Sequence, residues 1–227
     1  MTGGTDATAE TTVTEWQAAY DRVRDLAREK GEAGLDVKVP ATPDWTARQL
    51  LAHMVGVGHD AQAGQMPEQP DDDWTRGHVE QRRDLSVDQV LDAWAEDRIS
   101  IEATVADDPG PLADLVIHEQ DLRGAVGEPG ARDTPGLALV RDVAAGQLAE
   151  AVRGRDPLRL ESNGWTWQSH DGDPGLVLRA EEYDLFRAIT SRRTEDELRS
   201  YVAAGDLDPY LDAFAGMGPL PERSLGE

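Results

Sequence analysis

The feature that most constrains the fold is a repeat of apolar residues at steps of three and four, the period of an amphipathic α-helix. The repeat recurs over residues 12–30, 45–65, 86–107, 111–127 and 137–153. Glycine and proline between these segments end the helices. We expect Thr42 or Asp44 to cap the second helix and Ser86 to cap the helix after it. Residues 10–153 are therefore predicted to form a bundle of four long helices with shorter helical pieces.

The pattern changes beyond Arg153. Residues 158–161, 165–169 and 175–179 alternate apolar and polar side chains and are separated by turn residues, which predicts a three-stranded antiparallel meander. Helices are predicted over residues 181–190 and 194–203, and Thr194 is the expected cap of the second one. The predicted fold class is α+β. A helical bundle spans residues 1–153, and a small α/β domain with a short antiparallel sheet and helices spans residues 154–227.

The charge of the chain excludes several classes of partner. It has 22 Lys and Arg against 45 Asp and Glu, a net charge of −23. A field of that sign repels phosphate backbones and anionic lipid surfaces, so we expect neither a nucleic-acid nor a membrane partner. The N-terminus lacks a basic and apolar leader, and no apolar run approaches eighteen residues. The chain is therefore predicted to be a soluble cytoplasmic protein, either a monomer or a homodimer.

The chain contains no cysteine. Disulfides, thiolate metal ligands and a cysteine nucleophile are therefore all excluded. If the chemistry of this protein involves sulfur, the thiol has to come from a separate molecule.

Three polar residues fall on otherwise apolar helical faces and are candidate metal ligands. His53 lies in the second helix, and Asp114 and His118 are four residues apart, so both project from one face of a later helix. Two imidazoles and one carboxylate form a zinc site with an open position, although nickel, iron or manganese would also fit. Asp121 could accept a hydrogen bond from His118 or bind the end of the next helix. From spacing alone, hydrogen-bonded core residues are the competing interpretation.

The other polar candidates are predicted to be ordinary surface groups. His59, His78 and His170 lie outside the apolar stripes, and each is expected at the surface. The acidic run 71–73 is expected to be a solvated loop and not a cation site.

Two segments carry a family resemblance. VPATPDWTARQLLAHMVG contains Pro43, Trp45, Thr46 and His53, and DLVIHEQDLRGAVG contains Asp114 and His118. These segments resemble the two motifs of the mycothiol-dependent maleylpyruvate isomerase family, within the DinB-like four-helix-bundle superfamily. The family's acid is Glu, so Asp is a shorter variant. Near the C-terminus, Ser191-Arg192 occupies the place of a Gly-Arg pair whose Arg is linked to activity, and Arg193 beside it leaves the register open.

The resemblance implies a function. It implies a divalent metal ion, most typically zinc, that is held by His53, Asp114 and His118. It also implies mycothiol as a low-molecular-weight thiol cofactor and Arg192 as a catalytic residue. The expected activity is thiol S-transfer or maleylpyruvate-type cis–trans isomerisation of a small, electrophilic, acidic substrate. Two alternatives stay open: a hydrolase that uses metal-activated water, and a non-catalytic DinB-like metal-binding or regulatory protein.

Overall fold

The structure is a computed structural model that describes residues 3–68 and 70–227, and the side chains of residues 3–8, 99 and 100 lie outside that description. Its α-helices are α1 (Gly3–Leu35), α2 (Ala47–Ala63), α3 (Asp72–Gln81), α4 (Val87–Asp107), α5 (Gly110–Val126), α6 (Pro135–Ala151), α7 (Glu182–Ile189), α8 (Glu195–Ser200) and α9 (Leu211–Phe214). Its strands are β1 (Lys38–Val39), β2 (Thr42–Thr46), β3 (Leu158–Glu161), β4 (Thr166–Gln168), β5 (Leu176–Arg179) and β6 (Val202–Gly205).

The chain divides into two compact units, Met1–Gly136 and Leu137–Glu227. In the first unit, helices α1, α2, α4 and α5 form the predicted four-helix bundle. Helices α1 and α2 each pack against both α4 and α5. The core between them is fully buried and includes Trp16, Tyr20, Leu50, Leu51, Leu91, Trp94 and Leu112. The short helix α3 packs on α2 and covers part of the outer surface of the bundle there.

Helix α2, which carries the first candidate ligand, starts later than expected. Neither Thr42 nor Asp44 caps it, because both lie in β2, which pairs with β1. The cap is Thr46, whose side chain accepts from the backbone N–H of Gln49 while the Gln49 side chain accepts from the backbone N–H of Thr46. This reciprocal capping box fixes where α2 begins. Ser86 and Thr194 cap α4 and α8 as predicted.

The cap at Thr46 yields a stability prediction. Thr46→Ala leaves N-terminal amides of α2 without a partner, so it should lower the free energy of unfolding by about 1 kcal/mol. Urea denaturation measures the change. Thr42→Ala is the matched control, because the buried Thr42 hydroxyl has no hydrogen-bond partner among the described residues. Equal losses in the two variants would contradict the assignment of the cap.

The second unit contains α6, so the structural division falls earlier than the sequence-based boundary at residues 153/154. Ala144, Ala145 and Leu148 of α6 are buried in one cluster with residues of the sheet and of α7, including Leu158, Leu160, Leu176, Leu178 and Leu185. The apolar face of α6 therefore belongs to the core of this unit. Periodicity alone identifies a helix but does not say which core it completes.

The sheet of the second unit is mixed and has the order β4-β3-β5-β6. The predicted antiparallel meander is wrong, because β3 lies between its neighbours, antiparallel to β4 and parallel to β5. The helix predicted over residues 194–203 ends at Ser200, and β6 then pairs with β5. At Gly205, with φ of 89°, an added Cβ would lie 1.9 Å from the Gly175 carbonyl oxygen. Only glycine permits this close approach of the two strands.

No helix among the described residues is both long enough and apolar enough to cross a membrane.

Candidate metal centre

Adjacent bundle helices bring the three predicted ligands together. His53 projects from α2, and Asp114 and His118 project from one face of α5. The Asp114 Oδ1 atom lies 3.4 Å from His53 Nε2 and 3.5 Å from His118 Nε2. Each of the three residues offers one ligand atom, and these atoms lie within 4.8 Å of one another. The cluster is therefore small enough for one ion to contact all three residues.

The Asp114 carboxyl is held in its ionised form. Burial acts to raise its pKa, but the neighbouring His118 and His53 imidazoles together act more strongly in the opposite direction. The net result is that the pKa of Asp114 lies below its usual range. A negatively charged oxygen therefore faces two imidazole nitrogens.

The imidazole of His118 is oriented by Asp121. His118 Nδ1 lies 2.9 Å from Asp121 Oδ2, and the Asp121 side chain is fully buried. Because a carboxylate only accepts hydrogen bonds, His118 donates from Nδ1–H, and its Nε2 faces Asp114. The acceptor role proposed for Asp121 from the sequence is confirmed by this contact.

His78 is buried, and its predicted surface position is wrong. It is 3% exposed, and its Nδ1 lies 3.1 Å from Nδ1 of His53. Its Nε2 lies 3.0 Å from Asp60 Oδ2, which also accepts from Trp74 Nε1–H at 2.7 Å. Burial, only partly opposed by Asp60, lowers the pKa of His78, so this imidazole is neutral at pH 7.

Two features of the local sequence place His78 against α2. The acidic run 71–73 is exposed, as predicted, but it is not a loop: Asp71 caps α3 by accepting from the Trp74 N–H, and Asp72 and Asp73 lie in the first turn of the helix. On α2, Gly56 leaves room for the imidazole, because an added Cβ there would lie 2.2 Å from His78 Cγ. A glycine inside an apolar helix was the one sequence signal of this contact.

Aromatic rings surround the histidines. The Trp45 ring lies 5.1 Å from the His53 ring, and the Trp74 ring lies 6.0 Å from His53 and 4.4 Å from His78, measured between centroids. The rings of His53 and His118 meet edge-on at 5.3 Å. Apolar ring faces thus limit the water around the candidate ligands, which strengthens the electrostatic interactions there.

Part of the helical region, which contains the first candidate motif, matches a known family model. Residues 16–118 match the family model described as the mycothiol maleylpyruvate isomerase N-terminal domain. This part of the chain is similar to the N-terminal domain of mycothiol maleylpyruvate isomerases. The matched region ends at His118, so it includes all three candidate ligands as well as His78 and Asp60.

A solved structure extends the similarity beyond this matched region. It is the crystal structure of a histidine-to-alanine mutant of the mycothiol-dependent maleylpyruvate isomerase, with a TM-score of 0.56 and 12% identity. The match covers 89% of this chain and 95% of that one, so the two share a fold over nearly their full lengths. The search of curated proteins found no match.

The remaining histidines take no part in the cluster. His59 is exposed and pairs with Asp97 at 3.0 Å. His170 is exposed and contacts Ser169 at 2.9 Å. Both surface predictions are confirmed.

The Ser191-Arg192 pair, which stands where the isomerase family has Gly-Arg, has a glycine-like backbone. Ser191 adopts a φ of 62°, in the left-handed region that favours glycine. Its Oγ donates to the Phe214 carbonyl and accepts from the Met217 N–H, at 2.8 and 3.0 Å. These bonds hold serine in a conformation that glycine adopts without strain.

The two neighbouring arginines of the second unit differ in their contacts. Arg193 pairs with Asp184 at 2.8 Å and with Glu227 at 3.2 Å. Arg192 is also buried, and its Nη1 donates to the Thr190 carbonyl at 2.6 Å. Both arginines are therefore buried and bonded within the unit.

Proposed function

We propose that this chain is a metal- and mycothiol-dependent enzyme, a thiol S-transferase or a maleylpyruvate-type cis–trans isomerase, acting on a small electrophilic and acidic substrate. The observation that supports it best is the convergence of His53, Asp114 and His118 inside a region similar to the mycothiol maleylpyruvate isomerase N-terminal domain.

The donor set fits a divalent ion such as zinc. Ligands about 2.0–2.1 Å from a tetrahedral zinc ion lie roughly 3.3 Å from one another. The separations from Asp114 Oδ1 to His53 Nε2 and to His118 Nε2 are 3.4 and 3.5 Å. Two imidazole nitrogens and one carboxylate oxygen are also the three-ligand set of zinc sites that keep a position open for another molecule.

Each residue then has a defined task. His53, Asp114 and His118 would hold the ion, and Asp121 orients His118. When bound, the ion would lower the pKa of a thiol in the open position and so favour the nucleophilic thiolate. Since the chain has no cysteine, that thiol is a separate molecule, and mycothiol is the one that the family suggests.

An acidic substrate needs a cation in a chain of charge −23. We propose Arg192 for this role, because its guanidinium can bind a carboxylate with two parallel hydrogen bonds. The family resemblance of the Ser191-Arg192 turn supports the choice.

A screen of mycothiol against electrophiles tests the proposed activity. Zinc-loaded protein is incubated with mycothiol and a panel of cis-alkenoic acids, epoxides and activated halides, and products are identified by mass spectrometry. The proposal predicts either a mycothiol adduct or a mycothiol-dependent isomer, present with the His59→Ala control and lost with His53→Ala. Turnover that is independent of the thiol would favour the metal-water hydrolase. No turnover of any compound by metal-loaded protein would favour the non-catalytic alternative.

Arg192 yields a separate prediction. Arg192→Ala should keep its full metal content and lose about 10- to 100-fold in kcat/KM for an acidic substrate, the value of a lost charge-assisted bond pair. Arg192→Lys keeps the charge but loses the two parallel N–H donors of the guanidinium, so its kcat/KM should lie between those of the wild type and Arg192→Ala. Arg223→Ala is the control, because Arg223 is exposed. If Arg193→Ala lowers kcat/KM and Arg192→Ala does not, the functional arginine is Arg193.

A further inference from the structure

The three hydrogen bonds from Trp74 to His53 form a directed chain. Trp74 Nε1–H can only donate, and it donates to Asp60 Oδ2, which identifies that oxygen as an acceptor. The same oxygen lies 3.0 Å from His78 Nε2. His78 therefore carries its proton on Nε2 and donates it to Asp60.

The direction of the chain then fixes the tautomer of His53. A neutral imidazole with a proton on Nε2 has an acceptor at Nδ1. His78 Nδ1 lies 3.1 Å from His53 Nδ1, so His53 is the donor in that bond. His53 therefore carries a proton on Nδ1, and its other ring nitrogen, Nε2, lies 3.4 Å from Asp114 Oδ1.

The opposite arrangement is disfavoured at the Asp60 end of the chain, where it would place a lone pair of His78 Nε2 against the Asp60 oxygen. When an ion is bound it is also disfavoured at the other end, because it requires a proton on His53 Nε2, the atom that faces the ion. His53 and His78 are 4% and 3% exposed, so water has little access to either ring and cannot replace a hydrogen bond that is lost there.

We propose that His78 and Asp60 are positioning residues of the metal centre, which hold His53 in the Nδ1–H tautomer and so present Nε2 to the ion. His118 is oriented directly by Asp121, whereas His53 is oriented through an intervening imidazole. The inference rests on the proposed metal site. Its tautomer prediction can nevertheless be checked in protein that holds no metal.

Gly56 and Asp60 provide variants that disturb the chain without touching a ligand. Gly56→Ala places a methyl group where His78 lies, so the His78 ring must move away from His53. Gly77→Ala is the matched control, since a Cβ at this neighbouring helical glycine meets nothing within 4 Å. Asp60→Ala removes the acceptor, while Asp60→Asn keeps an oxygen that Trp74 can hold in place.

Nitrogen-15 NMR of histidine-labelled protein gives the first readout. In metal-free wild type, we expect His53 to be protonated on Nδ1, and we expect partial loss of this proton in Gly56→Ala and Asp60→Ala. A His53 without a proton on Nδ1 in the wild-type protein would overturn the inference, whether or not the chain is an enzyme.

Zinc affinity, measured by competition with a chromophoric chelator, gives the second readout. Gly56→Ala and Asp60→Ala should bind zinc about 10- to 100-fold more weakly than wild type, the usual effect of losing a residue that supports a ligand. Gly77→Ala should match wild type, and Asp60→Asn should recover most of the affinity. Wild-type affinity in both Gly56→Ala and Asp60→Ala would overturn the positioning role. If the wild type has the predicted tautomer but binds no zinc, the proposed metal function fails and the tautomer assignment stands.

Discussion

Alanine at His53, Asp114 or His118 is expected to empty the metal centre while the helical bundle remains folded. Each substitution removes one of three donors, and two donors hold a divalent ion far less tightly than three. If the ligands share the binding free energy about equally, each loss weakens zinc binding roughly 100- to 1000-fold. His118 and Asp114 are only partly buried, so their truncation leaves little empty core. The bundle core itself is built from other residues.

Metal content after dialysis, measured by inductively coupled plasma mass spectrometry, checks this expectation. The matched controls are His59→Ala and His170→Ala, which remove exposed histidines outside the cluster and should keep one equivalent of metal. Circular dichroism verifies that each variant is folded. Retention of one equivalent in all three ligand variants would show that the ion binds elsewhere.

Glu119→Gln is expected to be the most destabilising single-atom change in the first unit. The Glu119 side chain on α5 is fully buried, and its two oxygens accept from Nε and Nη2 of Arg22 on α1 at 2.8 and 2.7 Å. Arg123 donates to the same carboxylate at 3.0 Å. The neutral amide leaves two partly buried cations without their shared anion, which costs about 3–5 kcal/mol. That is a large fraction of the stability of a typical domain.

Urea unfolding of Glu119→Gln gives the measurement, with Glu80→Gln as the control. Glu80 pairs with Arg83 at the surface, where both side chains are more than half exposed, so its loss should cost less than about 1 kcal/mol. Because the Glu119 carboxylate is bonded to Arg22 and Arg123 and not to a candidate ligand, zinc affinity of the folded variant should be unchanged. A destabilisation no larger than that of Glu80→Gln would contradict the account of this ion-pair network.

Much of the candidate site could be predicted from local sequence. The i,i+4 spacing of Asp114 and His118 places both on one face of a helix, whatever the rest of the fold. The position of His53 on an apolar face points it into the bundle, where α5 also lies. Capping residues such as Ser86 and Thr194 mark helix starts through contacts within four residues, so they too were accessible.

The parts that were missed depend on contacts between distant segments. His78 was missed because its burial comes from packing against Gly56, which lies on another helix. The order of the sheet was missed because alternation within a strand does not say which strand will lie beside it, and β3 pairs parallel with β5, beyond an intervening strand. Helix α6 was recognised, but not the core it completes.

The most direct test of the metal centre is anomalous X-ray scattering from crystals of the protein grown with zinc, recorded on both sides of the zinc absorption edge. The account predicts one strong peak about 2.0–2.1 Å from His53 Nε2, His118 Nε2 and an Asp114 oxygen. A peak at a different cluster, or none at these three residues in zinc-containing crystals, would contradict it.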